Sequence, residues 1–134
     1  MTDILSAMSR AMEARDPEQF AAMFAEDYRS SQPVHPGREF VGRSQVLANW
    51  TSVFQGVPDF TATLVAGSPD TDPMWAEWRW DGHHADGSVF AMRGISVLVV
   101  RDGLIAEGRL YMEPAEEQPE DIDAAVQELY HPEG

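Results

Sequence analysis

Met74-Trp75-Ala76-Glu77-Trp78-Arg79-Trp80 alternates two kinds of residue at a period of two. The same alternation returns in Phe90-Ala91-Met92-Arg93-Gly94-Ile95-Ser96-Val97-Leu98 and in Ala106-Glu107-Gly108-Arg109-Leu110-Tyr111-Met112-Glu113. A period of two puts successive side chains on opposite faces of a sheet, so these runs are read as strands. Working outward, strands are expected at Phe60–Ala66, Met74–Trp80, Ser88–Val100 and Leu104–Glu113. Gly67-Ser68-Pro69-Asp70, the turn signals Asp81-Gly82 and Asp86-Gly87, and Arg101-Asp102-Gly103 separate them. Connections this short make neighbouring strands antiparallel.

Before Pro58 the period lengthens to that of a helix. Ile4, Leu5, Met8, Ala11 and Met12 mark a first helix. Asp16-Pro17-Glu18-Gln19 supplies a cap, a first-position proline and a capping-box glutamine for a second, with Phe20, Met23 and Phe24 inward. Gly42 opens a third, in which Val46, Leu47, Trp50, Val53 and Phe54 share a face before Gly56 and Pro58 close it. Between Tyr28 and Gly42, Pro33, Pro36 and Gly37 break the pattern, while Tyr28, Ser30 and Gln32 alternate as on a short strand. Helices followed by a meander of strands predict an α+β fold, three N-terminal helices covering one face of a curved antiparallel sheet. Residues 1–114 form the expected domain. Residues 115–134 form an acidic tail in which Ile122, Val126, Leu129 and Tyr130 fit a short terminal helix.

The chain has 134 residues, no Cys, and nine basic residues that are all Arg, which excludes thiolate nucleophiles, cysteine metal sites and lysine Schiff bases. Against those nine stand 23 acids, for a net charge of -14, a field that repels nucleic acid and anionic membrane surfaces. No run approaches the length of a membrane span, and the first residues do not read as a secretion signal. A cytoplasmic protein without a nucleic-acid or membrane partner is the expectation.

One face of the sheet takes Ala76, Trp78, Trp80, Phe90, Met92, Gly94, Ser96, Leu98, Ala106, Gly108, Leu110 and Met112, and it carries no charge. Turned toward the helices, its small residues beside Trp and Met leave room for a ligand cavity, or let a helix sit close; the pattern alone leaves both readings open. The other face mixes Trp75, Ile95, Val97, Val99, Ile105 and Tyr111 with Glu77, Arg79, Arg93, Glu107, Arg109 and Glu113. Apolar rows on an outer face point to a homodimer joined there; solvated ion pairs in a monomer are the alternative.

This order of elements resembles the SnoaL-like branch of the nuclear transport factor 2-like superfamily. The likeness rests on Asp16-Pro17-Glu18, Phe24-Ala25-Glu26-Asp27-Tyr28, His35-Pro36-Gly37-Arg38, Phe40-Val41-Gly42-Arg43, Trp78-Arg79-Trp80-Asp81-Gly82 and Arg101-Asp102-Gly103, and it spans roughly residues 3 to 114. It implies a conical, cystatin-like α+β fold, a pocket between helices and sheet, and often a dimer through the outer sheet face. The family includes steroid isomerases, polyketide cyclases, epoxide hydrolases, dehydratases and members without known chemistry. The resemblance puts Gln32 where a steroid isomerase has its base, Met8 at its tyrosine and Ser96 at its acid, so that catalytic set is not matched. The epoxide hydrolase Asp-Arg-Asp set meets Trp78 or Trp80 and Leu110, and is not matched either. A cyclase-type carboxylate corresponds to Glu113, whose parity with Arg109 and Tyr111 puts it on the outer face.

Catalytic candidates therefore come from the rim: His35, of a residue type able to exchange protons at physiological pH, with Tyr28 and Gln32 to orient a substrate oxygen. A histidine that merely fixes a proline-rich loop is the plainer alternative. Trp50, Trp78, Trp80, Met92, Ser96, Leu110 and Met112 are the expected lining for a small apolar, ring-bearing molecule; less than about 300 Å³ left between them would speak for a plain core instead. His83-His84 is read as part of a hairpin and not as a metal site, and no cofactor is called for. Two functions follow: a cofactor-independent isomerase, cyclase or dehydratase, or a non-catalytic dimeric module that binds a ligand or a protein.

Overall fold

The computed structural model describes residues 3–133. Helix α1 (Ile4–Glu13) is capped by Asp3, whose carboxylate accepts from the Ser6 N–H at 2.8 Å. It buries Leu5, Met8, Ala11 and Met12. Helix α2 (Pro17–Ala21) starts at Asp16, which accepts from the Gln19 N–H at 3.0 Å. It ends earlier than its apolar spacing predicts, and Phe24 opens strand β1 (Phe24–Ser31). The reason is competition for carbonyls: the Met23 C=O accepts from the Ile105 N–H at 2.9 Å and the Phe24 C=O from Arg43 Nε at 2.8 Å. A 3-10 turn at Pro36–Arg38 leads to the two-residue strand β2 (Phe40–Val41), which the sequence reading missed, and to helix α3 (Arg43–Gly56).

Strands β3 (Thr61–Ser68), β4 (Met74–His83), β5 (Val89–Arg101) and β6 (Leu104–Pro114) follow, then helix α4 (Ile122–Tyr130). The curved six-stranded sheet has the order β2-β1-β6-β5-β4-β3. The meander β3 to β6 is antiparallel as expected, and β1 joins it parallel to β6, which makes the sheet mixed. The fold is α+β, with α1, α2 and α3 over one face and α4 standing apart beyond the sheet.

Asp81-Gly82 does not turn the chain. Strand β4 runs through to His83, and the turn lies at His84–Ser88, where Asp86 accepts from the Ser88 N–H at 2.9 Å. Asp59 accepts from the His83 N–H at 2.7 Å and sits 2.8 Å from its Nδ1, which holds the hairpin base to the loop before β3 and lowers the Asp59 pKa.

The inner face follows the period-two reading with one slip. Across β4, β5 and β6, Trp78, Gly94 and Met112 stand in register, as do Ala76, Ser96 and Leu110. Between Val99 and Val100 the β5–β6 register shifts, so Ile105 opposite Val100 is fully buried while Ala106 is only half-buried. The expected assignment of Ala106 inward and Ile105 outward is thus reversed by a bulge.

Gly94 has the least room for a side chain of the described glycines. A Cβ there would collide with the Tyr111 carbonyl and come within 2.8 Å of Met112 Cα, and its φ of +157° disfavours any side chain. Gly94→Ala should cost about 2–3 kcal/mol in urea unfolding. Gly56→Ala, where a Cβ meets nothing within 4 Å, should be neutral or stabilise by up to about 1 kcal/mol.

Candidate functional site

Between the helices and the sheet lies a cavity of about 210 Å³. Trp78 and Trp80 of β4 and Ser96 of β5 form its sheet wall with Leu98 and Leu110, while Met8, Met12 and Phe20 come from α1 and α2. Helix α3 contributes Val46, Asn49, Trp50 and Val53, and the β1 side contributes Phe24, Tyr28, Ser30 and Gln32, with Phe40 from β2. Every one of these groups is uncharged at neutral pH. The aromatic rings interlock: Trp50 lies 4.6 Å from Phe20 and 5.2 Å from Trp80 between ring centroids, the second pair edge to face.

Polar groups sit at defined points. Trp78, 1% exposed, donates its indole N–H to Ser96 Oγ at 3.0 Å, and Ser96 is itself buried. The serine hydroxyl proton remains free to donate elsewhere. Tyr28, 3% exposed, rests its hydroxyl against Gly108, where a Cβ would overlap it. Burial pushes the Tyr28 pKa up, partly offset by the Ser30 hydroxyl, so Tyr28 stays protonated and acts as a donor or acceptor of hydrogen bonds. The Trp80 Nε1 is a buried donor without a partner among the described residues.

Of the residues singled out from sequence, Tyr28, Gln32, Trp50, Trp78, Trp80, Ser96 and Leu110 border this one cavity. Met92 and Met112 do not. Met112 is buried in the packed core and Met92 packs against that core, outside the cavity lining. The α1 stripe carried the signal for Met8 and Met12, but helical spacing reads the same for core and for cavity wall. Asn49, next to Trp50, borders the cavity although it was not among the site candidates read from sequence.

His35 is not at the cavity. The loop after β1 carries its ring to Glu113 at the end of β6, where Nε2 hydrogen-bonds Oε1. A carboxylate there makes Nε2 the donor, so that nitrogen cannot accept a proton while the pair holds. Glu113 is exposed, outside the cavity. The cavity is also smaller than the mark of about 300 Å³, because rings from α2, β1 and α3 close over it.

Three helices over one face of a curved sheet, with the cavity between them, make this an α+β fold. The SnoaL-like domain family model matches residues 5–108, and the chain belongs to that family. Solved structures share the fold. A protein with a ketosteroid isomerase-like fold from Catenulispora acidiphila, in complex with trimethylamine, is 19% identical over 81% of this chain and 83% of that one, with a TM-score of 0.70. A candidate polyketide cyclase from Streptomyces antibioticus is 22% identical over 81% and 88%, with a TM-score of 0.68. No protein of curated function matches the chain significantly.

Ser96→Ala leaves the Trp78 N–H buried without an acceptor and should cost about 1–3 kcal/mol in chemical unfolding. Tyr28 gives a pH signature. Its folded pKa lies above the unfolded value of 10.0, so the unfolded chain ionises first, and stability declines from pH 10.0 upward until the folded pKa is passed. Tyr28→Phe should show a shallower alkaline decline in urea midpoints than the parent.

Proposed function

We propose that the chain binds a small, neutral, largely apolar molecule of about one ring in the cavity, and holds it without transforming it. The observation that carries this reading is the lining: among the described residues Tyr28 is its one titratable side chain, and burial keeps that group protonated. A charged ligand would lose its hydration with no counter-charge to replace it. The size follows from the volume. Drug-sized sites run to about 300–1,000 Å³, whereas an apolar cavity of about 150 Å³ takes benzene. At 210 Å³ this cavity suits a single substituted ring. The Tyr28 hydroxyl, the spare proton of Ser96 and the Gln32 amide favour a ligand that carries a carbonyl or hydroxyl oxygen.

The second reading is a cofactor-independent isomerase, cyclase or dehydratase. It is favoured by the grouping of Tyr28, Ser30 and Gln32 on the β1 side of the cavity, which suits polarisation of a substrate oxygen. Within it His35 would serve as the base once released from Glu113. We also infer a homodimer through the outer sheet face. Trp75, Ile95 and Tyr111 are each 38–39% exposed there, among Glu77, Arg79 and Arg109. A face with both charges matches a copy of itself across a two-fold axis.

Quenching of tryptophan fluorescence tests the first reading, since three of the four tryptophans line the cavity. Cyclic ketones and phenols of one ring should bind, their carboxylate analogues should not, and Leu110→Trp should weaken binding by about tenfold or more by filling the space. Binding untouched by Leu110→Trp, or confined to the carboxylates, would sink it. Steady conversion of such a ketone or phenol, abolished by His35→Ala, would install the enzymatic reading instead.

A further inference from the structure

We propose that α4 docks on the outer sheet face of a second copy of this chain and clasps the dimer inferred above, a reading on which this one rests. Ile122, Val126, Leu129 and Tyr130 recur at i, i+4, i+7 and i+8 on α4, which makes one side of the helix apolar. These four side chains are 74%, 42%, 71% and 72% exposed, so their own chain leaves that side uncovered. A nine-residue helix gains most of its stability from packing such a stripe, and not from intrinsic propensity.

The outer sheet face offers a surface of matching character. A groove of about 390 Å³ runs over Val97 and Val99 and is flanked by Arg29 and Arg109. Trp75, Ile95 and Tyr111 lie on the same face. The charges are complementary. Residues 115–134 hold seven acidic residues and neither Lys nor Arg. Of the outer-face arginines, Arg93 and Arg101 are paired with Asp81 and Glu107, whereas Arg29, Arg79 and Arg109 form no ion pair among the described residues. Glu39 and Glu107 border the groove and Glu77 stands beside Ile95 on the same face, but Glu107 is already held by Arg101, so the three unpaired arginines outnumber the two unpaired glutamates among the described residues. In a chain of net charge -14, a face with three unpaired arginines is where an acidic segment from another copy meets attraction instead of repulsion.

Strand β6 ends at Pro114, and the seven residues from Ala115 to Asp121 span up to about 25 Å before α4 begins. Two copies packed through their outer faces can therefore exchange tails reciprocally about the two-fold axis, each α4 lying beside the row of Trp75, Ile95 and Tyr111 of the other.

The chain has no Cys, so introduced cysteines report geometry alone. A tagged copy carrying Leu129→Cys and an untagged copy carrying Val99→Cys should form a disulfide-linked heterodimer on mild oxidation. A single chain carrying both substitutions that closes on itself as a monomer would overturn the proposal in favour of the chain's own face. No disulfide in either arrangement would overturn it too. Val126→Asp with Leu129→Asp should raise the dimer dissociation constant by about tenfold or more in sedimentation, with the circular dichroism of the sheet domain retained. An unchanged constant would remove the clasp and leave the sheet-to-sheet dimer standing. A parent chain that sediments as a 14.9 kDa monomer even at high concentration would remove both.

Discussion

Trp78 sets the geometry on which the rest of the site depends. Its indole is among the largest fully buried groups of the chain, it stands in register with Gly94, and its N–H is satisfied by Ser96 two residues along the same strand. Both partners must be small. At Gly94 the β5 and β6 backbones come so close that a methyl group would strike the neighbouring strand, and at Ser96 a hydroxyl must meet the indole nitrogen. A large ring anchored at a fixed angle between two small residues gives the cavity a rigid sheet wall, because the lost hydrogen bond of any other rotamer would leave a polar atom unpaired in a dry interior.

The opposite wall follows from the same logic with different residues. Phe20, Phe24, Trp50, Phe54 and Phe60 stack edge to face or tilted at 4.6–5.7 Å, linking α2, β1, α3 and the loop before β3 into one aromatic layer. Tyr28 joins that layer 4.8 Å from Phe24, and its hydroxyl fits only because residue 108 lacks a side chain. Two glycines on adjacent strands thus shape the site, Gly94 by admitting the strand and Gly108 by admitting the tyrosine. Neither bears a functional group.

Much of this was legible from residue order. Alternation over Met74 to Trp80 and its two echoes gave the sheet faces, and Trp78, Trp80, Ser96 and Leu110 fell on the inner one because a strand's parity carries over its whole length. What broke that parity was invisible locally. The bulge between Val99 and Val100 reverses Ile105 and Ala106 near the start of β6, and it depends on how two strands meet, not on either sequence alone. The parallel pairing of β1 with β6 is likewise a contact between distant segments. The position of His35 was illegible for a related reason: distance along the chain from Gln32 said nothing about which way a Pro-flanked loop would turn, and the loop turned toward Glu113. Met92 and Met112 had the right face but the wrong depth, since periodicity assigns a side and not a distance from the cavity.

The separation of charge from cavity is the final constraint. The chain carries 23 acidic residues, yet none borders the cavity, and its nine arginines lie outside it as well. An anion approaching the protein meets an unfavourable field, and on entering would find only hydroxyl, amide and indole groups to replace its hydration. A cation would be drawn to the surface by that field, but it would have to surrender water for aromatic faces, without a carboxylate to hold it. A neutral molecule meets neither penalty. Its apolar part gains from the rings, and one oxygen suffices to use the Tyr28 or Ser96 hydroxyl. The same sorting that keeps the core free of charge therefore selects the ligand by charge before it selects by shape.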